Sequence, residues 1–251
     1  MAVCYAQPMP DVREERQLDL AAAYSRLLSL AVHEFRTPAS VVSGYLRMLH
    51  RDHDPALSER QRKMVEEAEK SCARIVAIVN ELSDIGKLDG GLIALSRQPL
   101  DLFALVAEVA ELVHEAKDRE VHLKVSGEER GASMSGDAPR LRSAFDAIFR
   151  AILREKAGPA TIVADRRVSM RDGRTCAVVV ISEEGSVQDA YEREAVLFDE
   201  KRGGLGLALP LARRVVEGHE GRLWSPQPCG DDDPLRQGSA IISLPITELN
   251  R

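Results

Sequence analysis

His33, Glu34 and Thr37 are the residues whose types and spacing could do chemistry together in this chain. An imidazole is a nucleophile near neutral pH, an adjacent carboxylate can act on its proton, and a hydroxyl one helical turn further on lies on the same side. The three stand in the string Ala31-Val32-His33-Glu34-Phe35-Arg36-Thr37-Pro38. Pro38 has no N–H to offer the Glu34 carbonyl, so a helix carrying this string should bend just beyond the histidine. Arg36 is placed to meet a phosphate or a partner. A lone histidine is more often a surface residue or a satisfied core residue, and the chain has six. His33 stands apart because of these neighbours and the helix that presents it.

Alternating steps of three and four residues pick out Ala21, Tyr24, Leu28, Ala31, Phe35, Pro38, Val42, Tyr45 and Leu49, a seam without charge. His33 lies two residues from both Ala31 and Phe35, a rotation of about 200° on a helix, so its ring should point away from the seam. A polar turn, Arg51-Asp52-His53-Asp54-Pro55, follows, and Ser58 with Gln61 forms a capping box that starts a second helix. Val65, Ala68, Cys72, Ile75, Val79 and Leu82 give that helix its own seam. Two such helices joined by a short turn make an antiparallel hairpin with more apolar stripe than it can cover, and a second copy would close a dimeric four-helix bundle.

Residues 1–11 read as a tail blocked by Pro8 and Pro10, residues 12–88 as the hairpin, and residues 89–251 as a second domain opened by the helix-breaking Asp89-Gly90-Gly91. The second domain mixes strands and helices. A short strand is expected at Leu92 to Leu95, a helix from Asp101 to about Ala116, and a strand through Val121, Leu123 and Val125. A helix from Asp137 to Glu155 should bury Leu141, Phe145, Ile148, Ile152 and Leu153. Strands at Ala160 to Val168 and Thr175 to Ser182 turn at Arg171-Asp172-Gly173, the second alternating at Cys176, Val178 and Val180. Gly203-Gly204-Leu205-Gly206 opens a helix to about Gly218, and strands surround Leu223-Trp224 and Ile241-Ile242. Helices on one face of a mixed sheet make an α+β sandwich.

The composition, 44% hydrophobic and 29% charged, is that of an ordinary folded protein. A net charge of -6 with scattered basic residues gives no footprint for nucleic acid. Cys4, Cys72, Cys176 and Cys229 have neither C-x-x-C spacing nor nearby histidine and are expected as reduced thiols, as in a cytoplasmic protein. No apolar run approaches the roughly 18 residues of a membrane span, and Met1 to Pro10 lacks the features of a signal peptide.

The H-E-F-R-T-P string resembles the phosphoacceptor box of two-component sensor histidine kinases, and the order of later strings resembles their Bergerat-type ATP-binding domain. Leu197-Phe198 is similar to the phenylalanine box, Gly203 to Leu209 to the second glycine box, Gly218 to Trp224 to the strand entry after it, and Ile85 to Leu102 to the linker and first helix entry. The resemblance covers residues from about 18 to 246. It implies that His33 is the phosphoacceptor, Glu34 its acid/base neighbour and Thr37 a positioning or phosphatase residue. ATP and Mg2+ are the implied cofactors. A homodimer, a response-regulator receiver domain and a separate sensor protein are the implied partners, because the chain has no room for a sensor module of its own unless it is part of a longer one.

Departures from the family pattern concern the ATP site. The asparagine that holds magnesium in the family falls at Ala151 and the polar residue one turn earlier at Ala147, and the chain's only asparagines are Asn80 and Asn250. A methyl group cannot ligate a hard cation, although Glu155, one turn beyond Ala151, could offer oxygen at a different height. The D-x-G-x-G box reads Glu183-Glu184-Gly185-Ser186-Val187. Glu183 keeps a carboxylate for the adenine amino group, while Val187 puts a side chain where ligand approaches. Gly204 and Gly206 could expose backbone N–H groups to phosphate at a helix start, with Lys201 and Arg202 beside them, or form a simple helix-entry turn. Three readings follow: an ATP-dependent histidine kinase, a pseudokinase or phosphotransfer protein that relays phosphate through His33, and a dimeric scaffold with a vestigial box, which the intact string opposes.

Overall fold

The structure, a computed structural model, describes residues 12–51, 57–171, 173–230, 233–236 and 238–247, with side chains of the first helix at residue 28 and from residue 30. The N-terminal tail, Ala21, Tyr24, Asp52 to Pro55 and Asp172 therefore lie outside the described residues or side chains. Packing divides the chain into two units between Ile93 and Ala94.

Helix α1 (Val12–Arg51) and helix α2 (Glu59–Asp89) make up the first unit. The capping box at the start of α2 is formed in full: Ser58 Oγ accepts from Gln61 N, and the Gln61 side chain accepts from Ser58 N at 2.9 Å. Gly90 closes α2 by donating to the Gly86 carbonyl. Gly86 lies so near Leu28 that a Cβ there would meet a leucine methyl at 2.6 Å, so the small residue lets the two helices approach. The hairpin buries Val32, Ala39, Cys72, Val79 and Ile85, and the Cys72 thiol donates to the Ala39 carbonyl at 3.1 Å. The expected α1 seam divides in the single chain. Leu28 and Ala31 are half-buried, whereas Phe35, Pro38, Val42, Tyr45 and Leu49 face outward in the single chain. The seam thus splits into a stripe that α2 covers and a stripe that it leaves apolar and bare.

The second unit starts with β1 (Gln98–Asp101), antiparallel to β3 (Ser133–Gly136). The strand expected at Leu92 to Leu95 is absent: Leu92 N still bonds back to Lys87 in the closing turn of α2, and pairing begins only where β3 supplies a partner. Asp101 caps α3 (Leu102–Leu112) by accepting from Phe103 N and Ala104 N. Helix α3 ends four residues before the expected Ala116, because Val113 turns extended and is buried, and Ala116 takes a left-handed conformation. Strand β2 (Val121–Gly127) precedes β3, and α4 (Ala138–Glu155) follows it, leading to β4 (Ala160–Arg171) and β5 (Arg174–Glu183). Next come the short α5 (Val187–Glu192), β6 (Ala195–Leu197), α6 (Ala208–Gly218), β7 (Arg222–Pro226) and β8 (Ala240–Pro245).

Six strands form one sheet in the order β2-β4-β5-β8-β7-β6, in which β2 and β4 are parallel and the other pairs antiparallel. Central β5 is buried on both faces from Cys176 to Ser182 rather than alternating. Helix α4 buries all five residues expected of it, together with Phe149 and Ala151. His219 ties the C-terminus of α6 to the start of α4: its Nε2 accepts from Asp137 N at 2.8 Å, and its Nδ1 lies 2.7 Å from the Val215 carbonyl. A carbonyl only accepts, so Nδ1 carries the proton and the ring is neutral. Burial, the largest influence, lowers the His219 pKa and favours that form.

Candidate functional site

Residues 33–38 form an exposed run on α1. The His33 side chain is 75% exposed, and its Nδ1 lies 3.7 Å from Glu34 Oε1. That separation is too long for a hydrogen bond but leaves the carboxylate beside the ring, within reach of a departing proton. Thr37 Oγ1 donates to the His33 carbonyl at 3.3 Å, a back-bond that helps a helix to bend where Pro38 removes the next ladder bond. Arg36 Nη2 donates to Asn80 Oδ1 at 2.8 Å. It therefore straps α1 to α2 instead of standing free for a phosphate, a role that required knowing which helix face met Asn80.

The second unit gathers the other expected residues around the end of α4. Residues 202–204 form a single 3-10 turn, and Gly203, Gly204 and Gly206 all have positive φ. Gly203 sits directly on α4, where a Cβ would meet Ala151 Cα at 2.6 Å and its carbonyl oxygen at 2.9 Å. Gly203→Ala would add left-handed strain to an overlap with backbone that cannot yield, so it should destabilise the second unit by about 2–4 kcal/mol in a urea melt. Gly204 has open space around it, Lys201 is exposed, and no side chain caps the start of α6. The turn thus keeps one face available to an anion.

The charged residues among the remaining expected ligands are already engaged, Arg202 with Glu155 and Glu183 with Lys156. Arg202 Nε lies 3.6 Å from Glu155 Oε1, Arg202 Nη1 donates to the Ser239 carbonyl at 2.8 Å, and Glu155 Oε2 accepts from Gly238 N at 2.7 Å. Burial pushes the Glu155 carboxyl above its ordinary range, against the opposing pull of Arg202 and the Gly238 N–H. Lys156 Nζ donates to Glu183 Oε2 at 3.1 Å, and Arg154 Nη1 reaches the Gly203 carbonyl at 3.4 Å. Gly185 is in open space, but Val187 is buried in a hydrophobic cluster with Ala190 and Val178. Val187 is therefore a core residue here, not a side chain obstructing a ligand. Ala147 and Ala151 are buried, and among the described residues no group of three or more His, Cys, Asp or Glu is placed to hold a metal ion. This arrangement does not fit Mg2+: the methyls offer no oxygen, and the nearest carboxylate already has a guanidinium and an amide. Arg154, Lys156 and Gly238 carry no motif, and only the fold brings them to Glu155 and Glu183.

Comparison with known proteins bears on the hairpin first. Residues 23–91 match the His Kinase A (phospho-acceptor) domain. The hairpin is a histidine-kinase phosphoacceptor domain. Its chain is homologous to two-component sensor histidine kinases. It is 25% identical over 219 residues to the signal transduction histidine-protein kinase BarA of Escherichia coli strain K12, an alignment covering 82% of this chain and 23% of that protein. It is also 25% identical over 252 residues to the sensor protein GacS of Pseudomonas syringae pv. syringae, covering 94% of this chain and 26% of GacS. The chain thus spans about a quarter of the length of these curated relatives. Among solved structures, full-length ShkA in complex with AMPPNP superposes with a TM-score of 0.65 at 21% identity, over 89% of this chain and 46% of ShkA. The Acinetobacter baumannii histidine kinase AdeS superposes with a TM-score of 0.55 at 14% identity, over 86% of this chain and 98% of AdeS. These likenesses show the fold: a helical hairpin followed by an α+β domain. No helix among the described residues is long and apolar enough to cross a membrane.

Proposed function

We propose that this chain carries a phosphoryl group of a two-component pathway on His33 and passes it to an aspartate of a response-regulator receiver domain. The observation that carries the reading is the exposed His33 imidazole beside Glu34 on the phosphoacceptor hairpin. A ring nitrogen attacks phosphorus, a P–N bond forms as the bond to the leaving oxygen breaks, and the ring proton passes to Glu34 or water. The receiver carboxylate then attacks the same phosphorus, and the imidazole leaves. Glu34 supplies the local negative charge, while Thr37 holds the backbone turn beneath the ring. A homodimer built on the hairpin, a cytoplasmic location and a separate sensor protein belong to the same proposal.

In the kinase form of this reading the donor is ATP, supported by family membership, by the AMPPNP in the ShkA complex and by the open turn at Lys201, Gly204 and Gly206. The pairing of Arg202 with Glu155 and of Lys156 with Glu183 favours a second form, a relay in which His33 is charged by another phosphoprotein. Incubation with γ-labelled ATP and magnesium, beside incubation with a phosphorylated receiver domain, separates them. Label from ATP establishes the kinase. Label from the receiver alone establishes the relay, and label from neither overturns the phosphohistidine reading.

A further inference from the structure

The sheet face opposite Val179 and Ile242 carries a smaller core of Val163, Val178, Val180 and Ile241, covered by Val187 and Ala190 of α5 and by Leu235. Beside that core lies a cavity of about 250 Å3 whose wall includes Arg171, Arg193 and Arg222 with Tyr191, Trp224 and Ser243. Arg171 ends β4, Arg193 follows α5 and Arg222 begins β7, so three separate elements bring the guanidiniums to one opening. Glu194 is the carboxylate of the lining, and with Asp233 paired to Arg193 from outside it, three guanidiniums meet two carboxylates and the wall keeps a net positive charge.

The arginines differ in what holds them. Arg193 lies 3.7 Å from Asp233 and also contacts the Cys229 sulfur, so it is positioned from outside the cavity. The Arg222 guanidinium sits 5.8 Å from the centre of the Trp224 ring, within cation–π range. Tyr191 is fixed by its hydroxyl on Asp165 at 3.0 Å and by Arg167 stacked 4.1 Å above its ring. Arg171 is the exception: its Nε is buried and has no hydrogen-bond partner among the described residues. A buried charged donor without an acceptor is costly, and an oxyanion entering the cavity would satisfy it. Guanidinium forks match phosphate oxygens, and the aromatic walls suit a flat organic group attached to one.

We propose that this cavity binds a small phosphate monoester, at a site on the opposite sheet face from the Gly203 turn. The inference stands apart from the His33 reading, since none of these residues belongs to it. Trp224 is the chain's only tryptophan, which makes its fluorescence a direct report of the cavity in the intact protein. Titration with AMP, with inorganic phosphate and with succinate at constant ionic strength should give a saturable change for the first two and none for succinate. Saturation by AMP at lower concentration than by phosphate would assign the organic ester as the ligand class; equal saturation would assign free phosphate and overturn the monoester proposal. Arg171→Gln should weaken the response at least about tenfold and Arg171→Lys less, because one charge-assisted fork is lost or reduced to a point charge. Circular dichroism of each variant confirms that it folds. No saturable change, a wild-type response in Arg171→Gln, or loss of the response in Arg202→Gln but not Arg171→Gln would each overturn the site.

Discussion

His33→Gln removes phosphoryl uptake from every donor while leaving the hairpin as stable as before. The first half follows from chemistry, because a carboxamide has no nitrogen lone pair available to attack phosphorus at neutral pH. The second half follows from position: a side chain 75% exposed, with a single ion-pair contact to Glu34, contributes within about 0.5 kcal/mol of nothing to folding. Labelling with each donor and a thermal melt on the same preparation therefore give opposite answers. Glu34→Gln keeps the shape and removes the charge, and should slow uptake by roughly a hundredfold, the lower end of what a positioned acid or base supplies. If His33→Gln still took up label stable to alkali, another residue would be the acceptor.

Elements stood out in the sequence wherever one local rule decided them. The capping box at Ser58, the cap at Asp101 and the five buried positions of α4 depend on neighbours within a turn or two, and each is formed. Strand β1 was misplaced because pairing with β3 sets its location, and nothing between Leu92 and Leu95 announces the lack of a partner. The α1 seam was legible as a stripe, yet its division into covered and bare halves depends on the rotation of α2 about its own axis, which a periodicity count does not contain. For the nucleotide-type region, the sequence places Ala151 where the family resemblance implies an asparagine. It could not show that Glu155, Arg202, Lys156 and Glu183 would answer one another, because those contacts join the end of α4 to three loops distant along the chain. The cationic cavity was hidden for a related reason. Its arginines lie far apart in the sequence and converge only through the register of β4 with β5 and of β7 with β8.

The bare half of the seam makes the last prediction quantitative. Phe35 is 60% exposed and Tyr45 64%, with Val42 and Leu49 on the same stripe of α1 and Ile75 exposed on α2. An apolar surface of this extent along two helices marks an interface, and a phosphoacceptor domain of this type implies that the interface is a second copy of the hairpin. In a two-fold dimer every substitution counts twice. Replacing one well-packed aromatic by a carboxylate at about 2 kcal/mol per copy weakens association roughly a thousandfold. Light scattering on the wild type should give twice the chain mass, and Phe35→Glu should give the chain mass with full helical content. Val79→Glu is the informative contrast. Val79 is only 6% exposed within the hairpin of a single chain, so a carboxylate there is buried without a partner and should cost about 3–5 kcal/mol of folding. That variant should lose helix signal together with mass. Equal behaviour of the two variants would mean that the stripe at Phe35 is not the dimer surface.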